Sequence, residues 1–299
     1  MAGGTAARDD PAHLSWKRVE VDGRVAEYGV AGVGPPVVFL HGWALAHRAY
    51  RHSLQQAVAR GASVYAPALP GFGGTPELPA EEAGLGGYAR WVRLFIASVG
   101  LADPVVLVGH SFGGGVAIQV AHDSPELVAQ LVVVNSIGGS AWKEGTVVRS
   151  MKERPLWDWG LHLQADVLPW RQLTRVVPVI ARDVVSNLAR NPQALWRVGH
   201  IARTANLVAE LEELKEQGVP VVVVWGEQDR LLPRAALASM QAVLGETEVV
   251  TVPGSHNWLI ADPAAFGEVL TNVVGLPEVI TAGVEPAVEV LEPGQGEVG

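Results

Sequence analysis

Six short apolar runs, dense in valine and free of polar alternation, constrain this chain more than any other feature. They are Val37–Leu40, Ser63–Ala66, Val105–Val108, Leu131–Asn135, Val219–Trp225 and Thr247–Val252. A strand with one wet face alternates apolar and polar residues. A continuous run suits a strand buried on both faces, the situation in parallel sheets. Between the runs lie segments of helical length: Arg48–Arg60, Leu85–Val99, Gly113–His122, Pro233–Leu244 and Pro263–Val274. Strand and helix taking turns imply right-handed crossovers, so the pattern predicts a mostly parallel, doubly wound α/β sheet. A hairpin precedes it, Lys17–Val21 and Arg24–Val30, split by the favoured turn pair Asp22-Gly23.

The rhythm breaks once. From Gly138 to about Gly218 no strand-like run occurs, and helical patterns are punctuated by Pro155, Pro169, Pro178 and Pro192. This interval reads as a helical cap inserted after the sixth strand, over the sheet's carboxyl edge. It holds Trp142, Trp157, Trp159, Trp170 and Trp196, five of the ten tryptophans. They suggest either an apolar or aromatic acyl pocket or cap–core packing. The expected organisation is a disordered segment 1–14, core 15–137, cap 138–218, core 219–276 and an acidic tail 277–299. The tail carries five glutamates and no Lys or Arg, without helical or strand period, and reads as disordered. A short docked strand at Val288–Leu291 is the competing reading.

Composition prunes the functional classes. With 48% hydrophobic and 18% charged residues the chain can bury a large core. It has no cysteine, which excludes disulfides, thiolate metal sites and a cysteine nucleophile. A net charge of −9 argues against nucleic-acid binding, which wants a basic face. No apolar run opens the chain, and none approaches the ~20 residues of a membrane span. The expectation is a soluble, cytoplasmic protein with no membrane insertion.

The chemistry concentrates where the run Val105–Val108 ends. Gly109-His110-Ser111-Phe112-Gly113 contains Gly-x-Ser-x-Gly, followed by a helix-compatible stretch. Such a strand–turn–helix lifts a serine oxygen clear of the backbone, and glycines are needed where strand and helix leave no room for a Cβ. The following helix adds a positive dipole near developing charge. A lone serine is a poor nucleophile and needs a base with an orienting acid. The later runs supply both: Asp229 follows Val219–Trp225, and His256 follows Thr247–Val252. Glu227, two residues from Asp229, competes for the acid. Asn135 and Ser136, after the Leu131 run, carry no charge. Among the histidines, His41 reads as a hydrogen-bonding scaffold, and His110 as pointing away from the proton to be taken. His122 lies late in a helix, and His162 and His200 lie in the cap. An oxyanion requires two backbone N–H donors; Phe112 and Trp43, in His41-Gly42-Trp43, are placed to provide them. Trp43 can equally wall the pocket.

These motifs, with Pro70-Gly71-Phe72-Gly73, resemble the α/β-hydrolase superfamily over roughly residues 15–275, most closely its lid-bearing bacterial carboxylesterases. The family often has Asp where this chain has Ala68, which implies a changed loop rather than lost activity. Haloalkane dehalogenases and epoxide hydrolases carry Asp on the elbow, where this chain has Ser111. The resemblance implies a serine hydrolase acting on an ester, thioester or lactone, with a small apolar or aromatic acyl substrate and no metal or organic cofactor. C–C bond hydrolysis and cofactor-free perhydrolysis use the same triad. A non-catalytic ligand receptor on this fold is the reading of another class.

Overall fold

The computed structural model describes residues 13–139, 170–245 and 249–276. Residues 1–12, the tail 277–299, and the cap segment with Trp142, Trp157 and Trp159 lie outside them.

Among the described residues eight strands form one sheet: β1 Ser15–Val21, β2 Arg24–Ala31, β3 Pro36–Leu40, β4 Ser63–Pro67, β5 Val105–His110, β6 Val128–Val134, β7 Val221–Gly226 and β8 Val249–Val252. Their spatial order is β1-β2-β4-β3-β5-β6-β7-β8. The β1–β2 and β2–β4 pairs are antiparallel, and the remaining pairs are parallel. The hairpin turn sits at Asp22-Gly23, both at positive φ (53° and 72°), as a two-residue turn matched to strand twist requires.

The continuous apolar runs have a direct cause. Side chains alternate faces along a strand, and both faces are covered. Val38, Leu40, Leu107, Leu131, Val133, Val223 and Trp225 pack into one layer. Val37, Phe39, Val106, Val108, Val132, Val134, Val222 and Val224 pack into the other. The first layer is closed by helices α2 (Leu85–Ser98) and α3 (Phe112–Asp123). The second is closed by α1 (Arg51–Ala59), which a 3₁₀ turn His47–Tyr50 precedes, together with helices near the chain's end.

The interval after β6 is helical where it is described: α4 Trp170–Arg190, α5 Pro192–Thr204 and α6 Val208–Glu216. Pro178 lies inside α4 rather than ending it. The missing N–H and ring clash cost about 3 kcal/mol; burial of Val176 and Ile180 on either side offsets it. Pro192 opens α5 at its first turn, where Asn191 caps the helix by accepting the Ala194 N–H at 3.1 Å. Helix α6 buries Leu211 and Leu214 in the first layer beside α3. The chain closes with α7 Arg234–Leu244, the short α8 Trp258–Ala261 and α9 Pro263–Val274.

The strand order reverses between β3 and β5: from β3 the chain moves out to β4, then returns past β3 to β5. Loops leaving β3 and β5 therefore diverge at the carboxyl edge and open a crevice, the usual seat of chemistry in such sheets.

Candidate active site

Ser111 stands at the end of β5 with φ 54° and ψ −117°, a conformation strained for a residue with a side chain. The elbow survives because nothing bulky surrounds it. A Cβ on Gly109 would lie 2.4 Å from the Gly113 carbonyl oxygen, and one on Gly113 would lie 2.3 Å from that of Leu40. Ser111 N–H donates to Val134 O (3.0 Å), tying the turn to the neighbouring strand.

Asp229 follows β7 and His256 follows β8. Strands sit about 4.8 Å apart, so β8 lies some 14 Å from β5. The His256 loop must therefore lean back across β7. It does so over Gly226, where a Cβ would meet the Gly254 and Ser255 carbonyl oxygens at 2.7 Å. Gln228 N–H donates to Gly254 O (2.9 Å). His110 Nε2–H, from the end of β5, donates to the His256 carbonyl at 2.9 Å. Ser111 and His256 line one small cavity, of about 10 Å³, with Gly42, Trp43, Leu45, His110, Ala202, Leu231 and Asn257.

His256 Nδ1–H donates to Asp229 Oδ2 at 2.8 Å, with the two side chains only 1% and 0% exposed. This fixes the imidazole tautomer with Nε2 as its basic nitrogen. Burial alone would raise the Asp229 carboxyl. The electrostatic attraction and N–H of His256, the Leu232 N–H and the Asn135 amide outweigh it and hold the group below the usual range. Oδ1 accepts the N–H groups of Leu231 (2.8 Å) and Leu232 (3.0 Å). Glu227, the competing carboxylate, is exposed in the turn.

Sequence reasoning missed Asn135. Its Nδ2 donates to Asp229 Oδ2 at 2.6 Å, while its Oδ1 accepts from Gly226 N (3.1 Å) and Trp258 Nε1 (2.9 Å). Its φ of 41° lies in the left-handed region, which Asn tolerates better than most residues. An uncharged residue at a strand end gave no signal of its own.

The rival histidines are engaged elsewhere. His41 Nδ1–H donates to Gly42 O (2.9 Å), and its Nε2 accepts the Leu69 N–H (2.9 Å). Burial lowers its pKa to about 4. His110, lowered to about 3 chiefly by burial, is neutral. Its Nε2–H goes to a carbonyl, so Nδ1 accepts, and the Tyr50 hydroxyl donates to it at 2.8 Å. The Tyr50 oxygen in turn accepts the Gly42 N–H at 3.1 Å. One relay of hydrogen bonds thus joins the loop after β3, Tyr50, the elbow and the loop after β8.

The loop His41–Ala46 places Gly42 against the elbow: a Cβ there would meet Ser111 Cβ at 3.2 Å. Among the described residues, the backbone N–H groups of Trp43 and Phe112 have no hydrogen-bond partner. The indole N–H of Trp43 donates to Leu195 O in α5 at 2.8 Å. Trp196, 59% exposed on α5, lines an open surface depression with Ala83, Pro192, Arg197 and His200 and is not among the residues around Ser111. Among the described residues, Trp43 is the tryptophan that lines the cavity. Ala68 is wholly buried and donates its N–H to Glu27 O (2.8 Å), in a loop packed so closely that a Cβ on Gly73 would lie 2.9 Å from Ala68 Cβ. Among the described residues no cluster of three or more His, Asp or Glu could hold a metal ion, and no helix is long and apolar enough to cross a membrane.

Comparison with known proteins agrees with this architecture. The model of the alpha/beta hydrolase family matches residues 37–269. A pimeloyl-[acyl-carrier protein] methyl ester esterase of Aeromonas hydrophila is 27% identical, the match covering 82% of this chain and 97% of that protein. The bromoperoxidase from Bacillus anthracis superposes with a TM-score of 0.74 at 16% identity, covering 87% of this chain and 100% of the other. An esterase from Exiguobacterium antarcticum does so at 0.71 and 18%, with the same coverage.

Proposed function

The chain belongs to the alpha/beta hydrolase family, and from that premise we propose that it is a serine hydrolase cleaving a carboxylic ester, thioester or lactone through an acyl-enzyme. The observation that carries the reading is the buried His256–Asp229 side-chain pair, 2.8 Å apart, whose His256 shares one cavity with the strained Ser111. In this mechanism Ser111 Oγ attacks the carbonyl while His256 Nε2 takes its proton. The Asp229 carboxylate stabilises the imidazolium that forms. The Trp43 and Phe112 N–H groups receive the oxyanion, each contributing about 3 kcal/mol. His256 returns the proton to the leaving group, then activates water against the acyl-enzyme. The apolar walls at Leu45, Ala202 and Leu231 favour a small apolar or aromatic acyl group.

Phosphonate labelling tests this. A serine-directed organophosphonate is expected to modify Ser111, read by peptide mass spectrometry, and Ser111→Ala to lose p-nitrophenyl ester hydrolysis. An unlabelled Ser111, or full activity in the variant, overturns the reading. Turnover of a vinylogous diketone in place of esters would assign C–C cleavage instead.

A further inference from the structure

Helix α4 lays a single stripe against the core. Val176, Ile180, Asp183 and Asn187 succeed one another at spacings of 4, 3 and 4, which places them on one helical face. The first half of the stripe is apolar: Val176 and Ile180 are buried in the layer that also holds Leu45 and Tyr50. The second half turns polar where it meets the loop after β3. Asp183 Oδ2 accepts the Ala46 N–H at 2.9 Å. Asn187 Nδ2 donates to Ala44 O at 3.0 Å, and its Oδ1 accepts the Gly73 N–H at 3.3 Å.

Asn187 is only 3% exposed, so its amide must be matched or carry a penalty of about 1–3 kcal/mol. The structure matches it to the backbone of two core loops and not to its own helix. At the first of these anchoring points the loop is strained. Ala44 sits at φ 64°, a left-handed conformation that costs a residue with a side chain roughly 1–2 kcal/mol. Such a conformation persists only where its surroundings hold it. The bonds from Asn187 and Asp183 grip Ala44 itself and the residue two beyond it. The residue before it is Trp43.

We propose that Asp183 and Asn187 are positioning residues for the oxyanion site. They hold His41–Ala46 in the strained shape that presents the Trp43 N–H to the reacting carbonyl. Helix α4 is then part of the catalytic machinery, not a cover alone. This rests on the assignment of Trp43 as an oxyanion donor.

The experiment compares the wild type with Asn187→Ala, Asp183→Ala, Asp183→Asn and Ser111→Ala. It reads p-nitrophenyl ester kinetics, inhibition by an alkyl boronic acid that forms a tetrahedral anion on the serine, and Tm. Asn187→Ala and Asp183→Ala are expected to lower kcat by about 10–100-fold with little change in KM, and to weaken the boronate by a similar factor. Asp183→Asn keeps an acceptor oxygen and is expected to stay within about 3-fold of wild type. Wild-type kcat in both alanine variants overturns the proposal. So does a fall in kcat with boronate affinity unchanged, since that marks a general loss of fold. If the alanine variants do not fold, Asn187→Asp decides: it keeps the acceptor for Gly73 and loses the donor to Ala44, and wild-type kcat there overturns the proposal. Full hydrolysis by Ser111→Ala would instead show that the triad reading itself has failed.

Discussion

Asn135 Nδ2 lies 2.6 Å from Asp229 Oδ2, on the same oxygen that receives the His256 N–H. The carboxylate is therefore held from β6 as well as through its own loop, and a neutral amide stands where a second acid could have stood. The amide orients the carboxylate without competing for the imidazole's proton.

Removing that donor should loosen the acid and leave its charge in place. Asn135→Ala is expected to lower kcat by about 10–100-fold with KM unchanged, because a charge-assisted hydrogen bond contributes some 1.5–3 kcal/mol. Asp229→Asn should be far more severe, about 10³–10⁴-fold, because the amide favours the wrong imidazole tautomer. Steady-state ester kinetics on both variants check the order; equal effects would contradict it.

Tyr50→Phe should destabilise the fold more than loss of one hydroxyl suggests. It strips a partner from both the Gly42 N–H and His110 Nδ1, each buried. Each orphan costs about 1–3 kcal/mol. For a chain of this size that means a Tm lower by roughly 3–10 °C in a thermal melt. A shift under 2 °C would mean that the relay carries no energy.

The same substitution should have opposite signs at two glycines. Gly109→Ala drives a Cβ to 2.4 Å from a carbonyl oxygen and 2.5 Å from Gly114 Cα, backbone atoms that cannot rotate away. It is expected to cost at least 1–3 kcal/mol and abolish activity. Gly86→Ala, in the first turn of α2 with nothing within 4 Å, should be neutral or stabilise by up to about 1 kcal/mol. Melting curves of the pair decide.

Acid sensitivity should come largely from buried histidines. Burial lowers His41 to about 4, and His47 and His110 to about 3. The unfolded chain binds these protons from pH ~6.5 downward, whereas the folded chain refuses them until about pH 3–4. Stability is therefore full above pH ~6.5 and falls as pH drops below it, each histidine contributing up to about 1.4 kcal/mol per pH unit. Neither ring nitrogen of His47 has a hydrogen-bond partner among the described residues. His47→Leu should accordingly leave Tm at pH 8 within about 3 °C and flatten the loss between pH 6.5 and 5. An unchanged slope would count against His47 as a contributor.

The valine runs alone specified the doubly buried sheet, because a strand covered on both faces leaves no position for a polar side chain. The elbow was legible for a similar reason: glycines flank Ser111 wherever a Cβ would strike backbone. The order of elements likewise named Asp229 and His256, since chemistry in such sheets gathers beyond the strands' carboxyl ends. Tertiary structure decided the rest. Asn135 supports the acid only because β6 lies beside β7. Tyr50 and His110 bridge two loops because the His256 loop leans back across a strand. Asp183 and Asn187 reach a loop about 140 residues earlier in the chain. Whether Trp196 would wall a pocket or pack between cap and core was open in the sequence, and only the fold sets it exposed on α5. Periodicity records how deeply a residue is buried, but the partner it meets depends on which distant segment the strand order carries alongside.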